Sequence, residues 1–112
     1  MEKRRDKRID LKYPLSVKCR IQKFKDTYGL IRTTSLQVEN ISMGGLRFSS
    51  PLNFPVTQDL VLSLEFTLLG RDCRLLGTIV WKEETSNHYV YGFETTSSNI
   101  GYMQSVSLFT KG

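Results

Sequence analysis

Along residues 60 to 68 the chain alternates Leu60, Leu62, Leu64, Phe66 and Leu68 with Val61, Ser63, Glu65 and Thr67. Neighbouring side chains of a strand point to opposite faces, so this period of two predicts a β-strand with one apolar face. Leu15, Val17, Cys19 and Ile21 alternate in the same way with Ser16, Lys18, Arg20 and Gln22. Pro14 stands at the start of that strand, where a missing donor is tolerated. Further strands are expected over 34–41, 45–48, 73–83 and 88–94. Polar or proline-bearing stretches at 23–29, 49–57 and 84–87 separate them, and Gly70-Arg71-Asp72 reads as a hairpin turn. Six or so short strands with hairpin turns predict a small antiparallel barrel or sandwich. A terminal helix over 99–109, capped by Ser97 or Ser98, is expected to cover an open end of it. Its inward face would carry Ile100, Met103, Ser107 and Leu108.

Composition fits that picture and narrows the chemistry. With 112 residues, 39% of them hydrophobic and 11% aromatic, the chain suits one globular domain with a single modest core. No apolar run approaches the roughly 20 residues that span a bilayer, and the charged N-terminus does not resemble a signal peptide. A cytoplasmic location is the expectation, with Cys19 and Cys73 reduced and buried inside strands. The formal charge is +5 and unevenly spread: residues 1 to 32 hold eleven Lys or Arg against four acids. That concentrates positive field on the N-terminal third, where a dinucleotide, a nucleic-acid backbone or an acidic membrane surface would be attracted. Catalysis finds little footing. His88 is the lone histidine, in a polar turn, and no His/Cys/carboxylate cluster has metal-ligand spacing. No phosphate-binding glycine loop is present, so the chain reads as a binder and not an enzyme, with no cofactor.

Two clusters carry the binding chemistry. In Val38-Glu39-Asn40-Ile41-Ser42-Met43-Gly44-Gly45-Leu46-Arg47-Phe48, Asn40 and Ser42 share one face of a strand. An amide, a hydroxyl and bare glycine backbone at one strand end make a small polar recognition site, with Gly44-Gly45 permitting positive φ and close approach. The competing reading is purely conformational, since hairpin turns often use these residues. The second cluster is Lys3-Arg4-Arg5-Asp6-Lys7-Arg8, in which Arg4 and Arg8 stand four apart. An arginine fork bonds phosphate oxygens or a guanine edge bidentately. The competing reading here is a solvated tail.

Together these clusters resemble the PilZ domain, a bacterial receptor family for cyclic di-GMP. Arg4-Arg5-Asp6-Lys7-Arg8 matches its RxxxR motif, and Asn40-Ile41-Ser42-Met43-Gly44-Gly45 matches its (D/N)xSxxG motif. Gly77-Thr78-Ile79-Val80-Trp81 and Tyr91-Gly92-Phe93 look like the family's later strands, so the likeness covers about residues 3 to 95. One departure is Lys3, where relatives often carry another arginine. The resemblance implies a six- to seven-stranded antiparallel PilZ-type barrel at 13–96, a flexible N-terminal basic loop at 1–12 and a C-terminal helix and tail at 97–112. It implies that Arg4 and Arg8 grip phosphates and guanine, that Asn40 and Ser42 hydrogen-bond the base, and that Gly45 lets it approach. Arg5 and Gly44 are secondary candidates. Trp81 either stacks on guanine or ends a strand in the core, and both readings stay open. The implied job is a receptor or adaptor in bacterial second-messenger signalling, without membrane insertion, handing its signal to a partner in motility, exopolysaccharide or pilus machinery. The alternatives are a barrel that binds single-stranded nucleic acid and a PilZ-like protein adaptor that binds no nucleotide.

Overall fold

The computed structural model describes residues 8–28 and 33–111. Seven strands and one helix follow in order: β1 (Ile9–Phe24), β2 (Thr27–Tyr28), β3 (Thr33–Ser42), β4 (Gly45–Ser50), β5 (Leu60–Leu68), β6 (Arg71–Glu84), β7 (Tyr89–Ser98) and α1 (Ile100–Lys111). The sheet runs β2-β1-β3-β4-β7-β6-β5, and β1 also pairs with β5. That second pairing closes six antiparallel strands into a barrel, which removes the exposed sheet edges that invite aggregation. The period-two residues fill it: Val17, Leu36, Val38, Leu46, Phe48, Leu62, Leu64, Leu75, Tyr91 and Phe93 are all buried.

Each end of the barrel is plugged by a different device. At the far end of β4, the connection to β5 folds inward and buries Phe54. The Tyr91 hydroxyl donates to the Leu52 carbonyl and accepts from the Phe54 amide at 2.8 Å. Lys82 ties the same loop from outside, donating to Asn53 Oδ1 at 2.6 Å and to the Phe54 carbonyl at 3.0 Å. At the end where β4 starts, α1 lies across the opening with Tyr102 edge-on to Phe66, ring centroids 6.0 Å apart. Gly101 is required there, because a Cβ would meet the Asp72 carbonyl oxygen at 2.1 Å.

Several expectations need correction. β1 begins at Ile9, within the stretch read as loop, and pairs with β3 from Ile9 opposite Ile41 onward. Pro14 therefore sits inside the strand, in the break where residues 11 to 14 face Glu39 alone; such an irregularity spares a ladder donor. The polar stretch after Lys23 holds the two-residue strand β2. The β5–β6 turn is Leu69-Gly70, both at positive φ (54° and 75°), the geometry that matches strand twist in a two-residue hairpin. The helix cap is Asn99, not Ser97 or Ser98: its Oδ1 accepts from the amides of Tyr102 at 3.2 Å and Arg74 at 3.1 Å. The helix also turns the other way round from the expectation. Gly101, Tyr102, Ser105 and Val106 are buried, whereas Ile100 (69% exposed), Met103 and Leu108 face outward. Tyr102 wins the inward side because it fills the barrel mouth and its hydroxyl finds a partner there.

Both cysteines are free and buried, and burial pushes the Cys19 thiol up from 9.0 to about 12. The folded state then keeps a proton that the unfolded chain releases, so this contribution is whole below pH 9 and is lost as pH rises toward about 12. Denaturant titrations at successive alkaline pH should show stability falling by up to ~1.4 kcal/mol per pH unit from this group, with Cys19→Ala flattening the slope. Asn99 caps α1 and also donates from Nδ2 to the Asp72 carbonyl at 3.0 Å, tying helix to β6. Asn99→Ala should cost about 2 kcal/mol and lower Tm by roughly 8 °C in a thermal melt.

Candidate functional site

Two register slips decide which polar residues reach the outside. On β3, Val38 pairs with Phe48 and Asn40 with Arg47, leaving Glu39 as the extra residue of a bulge. Strict alternation would bury Asn40 along with Val38, which are two apart. The bulge instead lets Val38 stay in the core while Asn40 comes to the outer side, partly exposed. On β6, Ile79 pairs with Phe93 and Trp81 with Gly92, so Val80 is the bulged residue. Ile79 is buried while Trp81 is 41% exposed. Trp81 is therefore a surface aromatic, and the core alternative is set aside.

A single row now crosses four neighbouring strands, because Asn40 pairs with Arg47, Arg47 with Gly92, and Gly92 with Trp81. From Asn40 to Trp81 the row spans about 14 Å, three strand spacings. The indole reaches back over Gly92, where an added Cβ would meet Trp81 Nε1 at 2.0 Å. Gly92 thus works by packing: its missing side chain is the seat of the indole. Arg47 forms an ion pair with Glu39, Nε to Oε1 3.0 Å. At the β1 end of the row, Asp10 pairs with Asn40, and Arg8 Nη1 donates to Asn40 Oδ1 at 2.9 Å. The last arginine of one motif and the first residue of the other are in direct contact.

The glycine turn works differently from the expectation. Gly70 is the one described glycine at positive φ, so neither Gly44 nor Gly45 uses that freedom. Gly45 is demanded by space, since a Cβ would meet the Phe93 carbonyl oxygen at 2.1 Å across the β4–β7 pair. The turn is then braced from three sides. Ser42 Oγ donates to the Gly45 carbonyl at 3.2 Å, the Tyr102 hydroxyl donates to the Ser42 carbonyl at 2.5 Å, and the Thr95 amide donates to the Gly44 carbonyl at 2.9 Å. Ser42 is 2% exposed, so its hydroxyl is engaged inside the turn. Arg4 and Arg5 lie outside the described residues. The sequence reading missed Glu39 and Arg47, although two consecutive polar residues inside an otherwise alternating strand are a signal of a bulge.

A family model described as the PilZ domain matches residues 2–109. The chain belongs to the PilZ domain family. This family is known for binding cyclic di-GMP, and its members are receptor or adaptor domains. No curated protein matches the chain. In this PilZ domain no helix among the described residues is long and apolar enough to cross a membrane.

Trp81 is the only tryptophan, so its fluorescence reports on this face alone. Gly92→Ala should push the indole off its seat and shift its emission to longer wavelength. The clash is with a movable side chain at the surface, so the melting temperature should fall by only a few degrees, about 1 kcal/mol.

Proposed function

We propose that this PilZ domain is a cyclic di-GMP receptor that acts as an adaptor in bacterial second-messenger signalling. The observation that carries the reading is the Arg8–Asn40 hydrogen bond, which joins the two motif clusters at one end of a row ending in an exposed indole. Cyclic di-GMP offers two phosphodiester charges and two flat guanines. Arg4 and Arg8 supply forks for phosphate oxygens and the Hoogsteen edge of guanine, with Arg5 as an additional phosphate ligand. Asn40 hydrogen-bonds the guanine against the barrel, and Trp81 stacks on a base, a contact worth ~1–3 kcal/mol. Ser42, Gly44 and Gly45 hold the turn that backs this surface, Ser42 by its bond to the Gly45 carbonyl.

The ligand would also change the arm. Lys3, Arg4, Arg5, Lys7 and Arg8 repel one another, and a dianion cancels that repulsion while tying the arm to the barrel. Several charge-assisted hydrogen bonds at ~1.5–3 kcal/mol each, less the bonds they displace and the cost of association, leave micromolar affinity. A partner protein in motility, exopolysaccharide or pilus machinery would read the closed arm, in the cytoplasm.

The nucleic-acid alternative is weakened because Tyr91 and Phe93, two aromatics on one strand face, are buried in the core and leave Trp81 to stack alone on this row. Calorimetric titration with cyclic di-GMP beside a single-stranded oligonucleotide separates the readings. The expected result is micromolar binding of the dinucleotide and none of the oligonucleotide. Arg4→Ala and Arg8→Ala should each weaken binding at least about tenfold with an almost unchanged melting curve, since exposed polar pairs contribute little to stability. Titrations indistinguishable from wild type would sink the arginine assignment.

A further inference from the structure

Arg47 on β4 and Glu39 on β3 form an ion pair across the bulge. Both side chains are partly exposed, at 45% and 33%, and pairs at such exposure add little to stability. Position is what singles it out. Arg47 pairs in register with Asn40 on one side and with Gly92 on the other, and Gly92 lies under the Trp81 indole. Arg47 therefore stands in the row between the residue that bears the amide and the glycine under the aromatic. Glu39, its partner, is the bulged residue that brings Asn40 to the surface.

We propose that Arg47 is a further phosphate-binding residue of this site and that Glu39 is a built-in competitor for its guanidinium. The inference rests on the cyclic di-GMP reading. A carboxylate and a phosphodiester bond the same guanidinium fork, so one replaces the other. The carboxylate has the advantage of being tethered, and an anion that touches Arg47 alone does not displace it. A phosphodiester held at the same time by Arg8 and through its guanines arrives at high effective concentration and does. Glu39 thereby raises discrimination against mononucleotides and free phosphate while it lowers affinity for the full ligand.

The test is calorimetry at one fixed low salt concentration, with cyclic di-GMP and with GMP, on wild type, Arg47→Ala, Glu39→Gln and the double variant. Arg47→Ala should weaken cyclic di-GMP binding about tenfold. Glu39→Gln should tighten it about threefold or more and strengthen the GMP response. The double variant should match Arg47→Ala, because Glu39 acts only through Arg47. Melting curves establish that each variant is folded, and Glu39→Gln keeps the shape of the bulge residue. Binding by Arg47→Ala within twofold of wild type overturns the inference. So does a gain from Glu39→Gln that persists in the Arg47→Ala background, since Glu39 would then repel the ligand directly. Wild-type binding that Arg8→Ala weakens and Arg47→Ala does not leaves the receptor reading standing and removes this one. Absence of wild-type binding removes both.

Discussion

In a strand, a residue's parity decides whether it faces the core or the solvent, and one slipped residue reverses every position beyond it. The outer face of this barrel depends on two such slips, at Glu39 in β3 and at Val80 in β6. Without the first, Val38 and Asn40 would share a face, and burying Val38 would bury an amide. Without the second, Trp81 would follow Ile79 into the barrel and displace core that Tyr91 and Phe93 already fill. The two bulges lie on strands separated by β4 and β7, yet they bring their residues to the same transverse row. Bulges that re-aim side chains beside a functional surface are a recurrent device of β-proteins.

The row is coupled to the plug of the barrel through the glycine turn. Tyr102 fills the mouth beneath α1 and bonds the Ser42 carbonyl, so the helix and the turn hold each other. Two-residue hairpins ordinarily rely on positive φ, which this one does not use. Its shape is imposed from outside by Tyr102 and the Thr95 amide, and from within by the Ser42 hydroxyl. Glycine is needed at position 45 for space and not for rotation, because the Phe93 carbonyl occupies the volume of a side chain. A motif that reads as flexible in one dimension is rigid in three.

Much of this fold was legible in the alternation of Leu60 to Leu68 and of Leu15 to Ile21, because a period of two leaves a strand little choice of face. The motif residues were legible too, since Arg8 and Asn40 are chemically conspicuous, and the structure brings them into contact. What could not be read were the places where tertiary packing overrides local pattern. Ile100, Met103 and Leu108 form the more apolar stripe of α1, yet Tyr102 takes the inside because the barrel mouth fits a ring with a hydroxyl acceptor behind it. Asn99 won the cap over two serines because its side chain bonds the first turn of α1 and the β6 backbone at once. Trp81 could not be placed from sequence because its face depends on a bulge at Val80 that no local residue preference marks.

The polar groups on the outer row do not wait unpartnered. Arg8 holds Asn40, and Glu39 holds Arg47. An incoming nucleotide on the cyclic di-GMP reading would exchange these bonds for its own, so each contact contributes only the difference between two charge-assisted hydrogen bonds. Each exchange yields less than the ~1.5–3 kcal/mol of a bond made by an idle fork, and a ligand able to make only one of them gains little. A ligand with two phosphodiesters and two bases makes them all in one event, and the cost of association is met once and not at every contact. On these terms selectivity arises from simultaneity, and an outer surface made of weak, mutually satisfied pairs is better suited to it than a surface of idle charges, which would bind any polyanion.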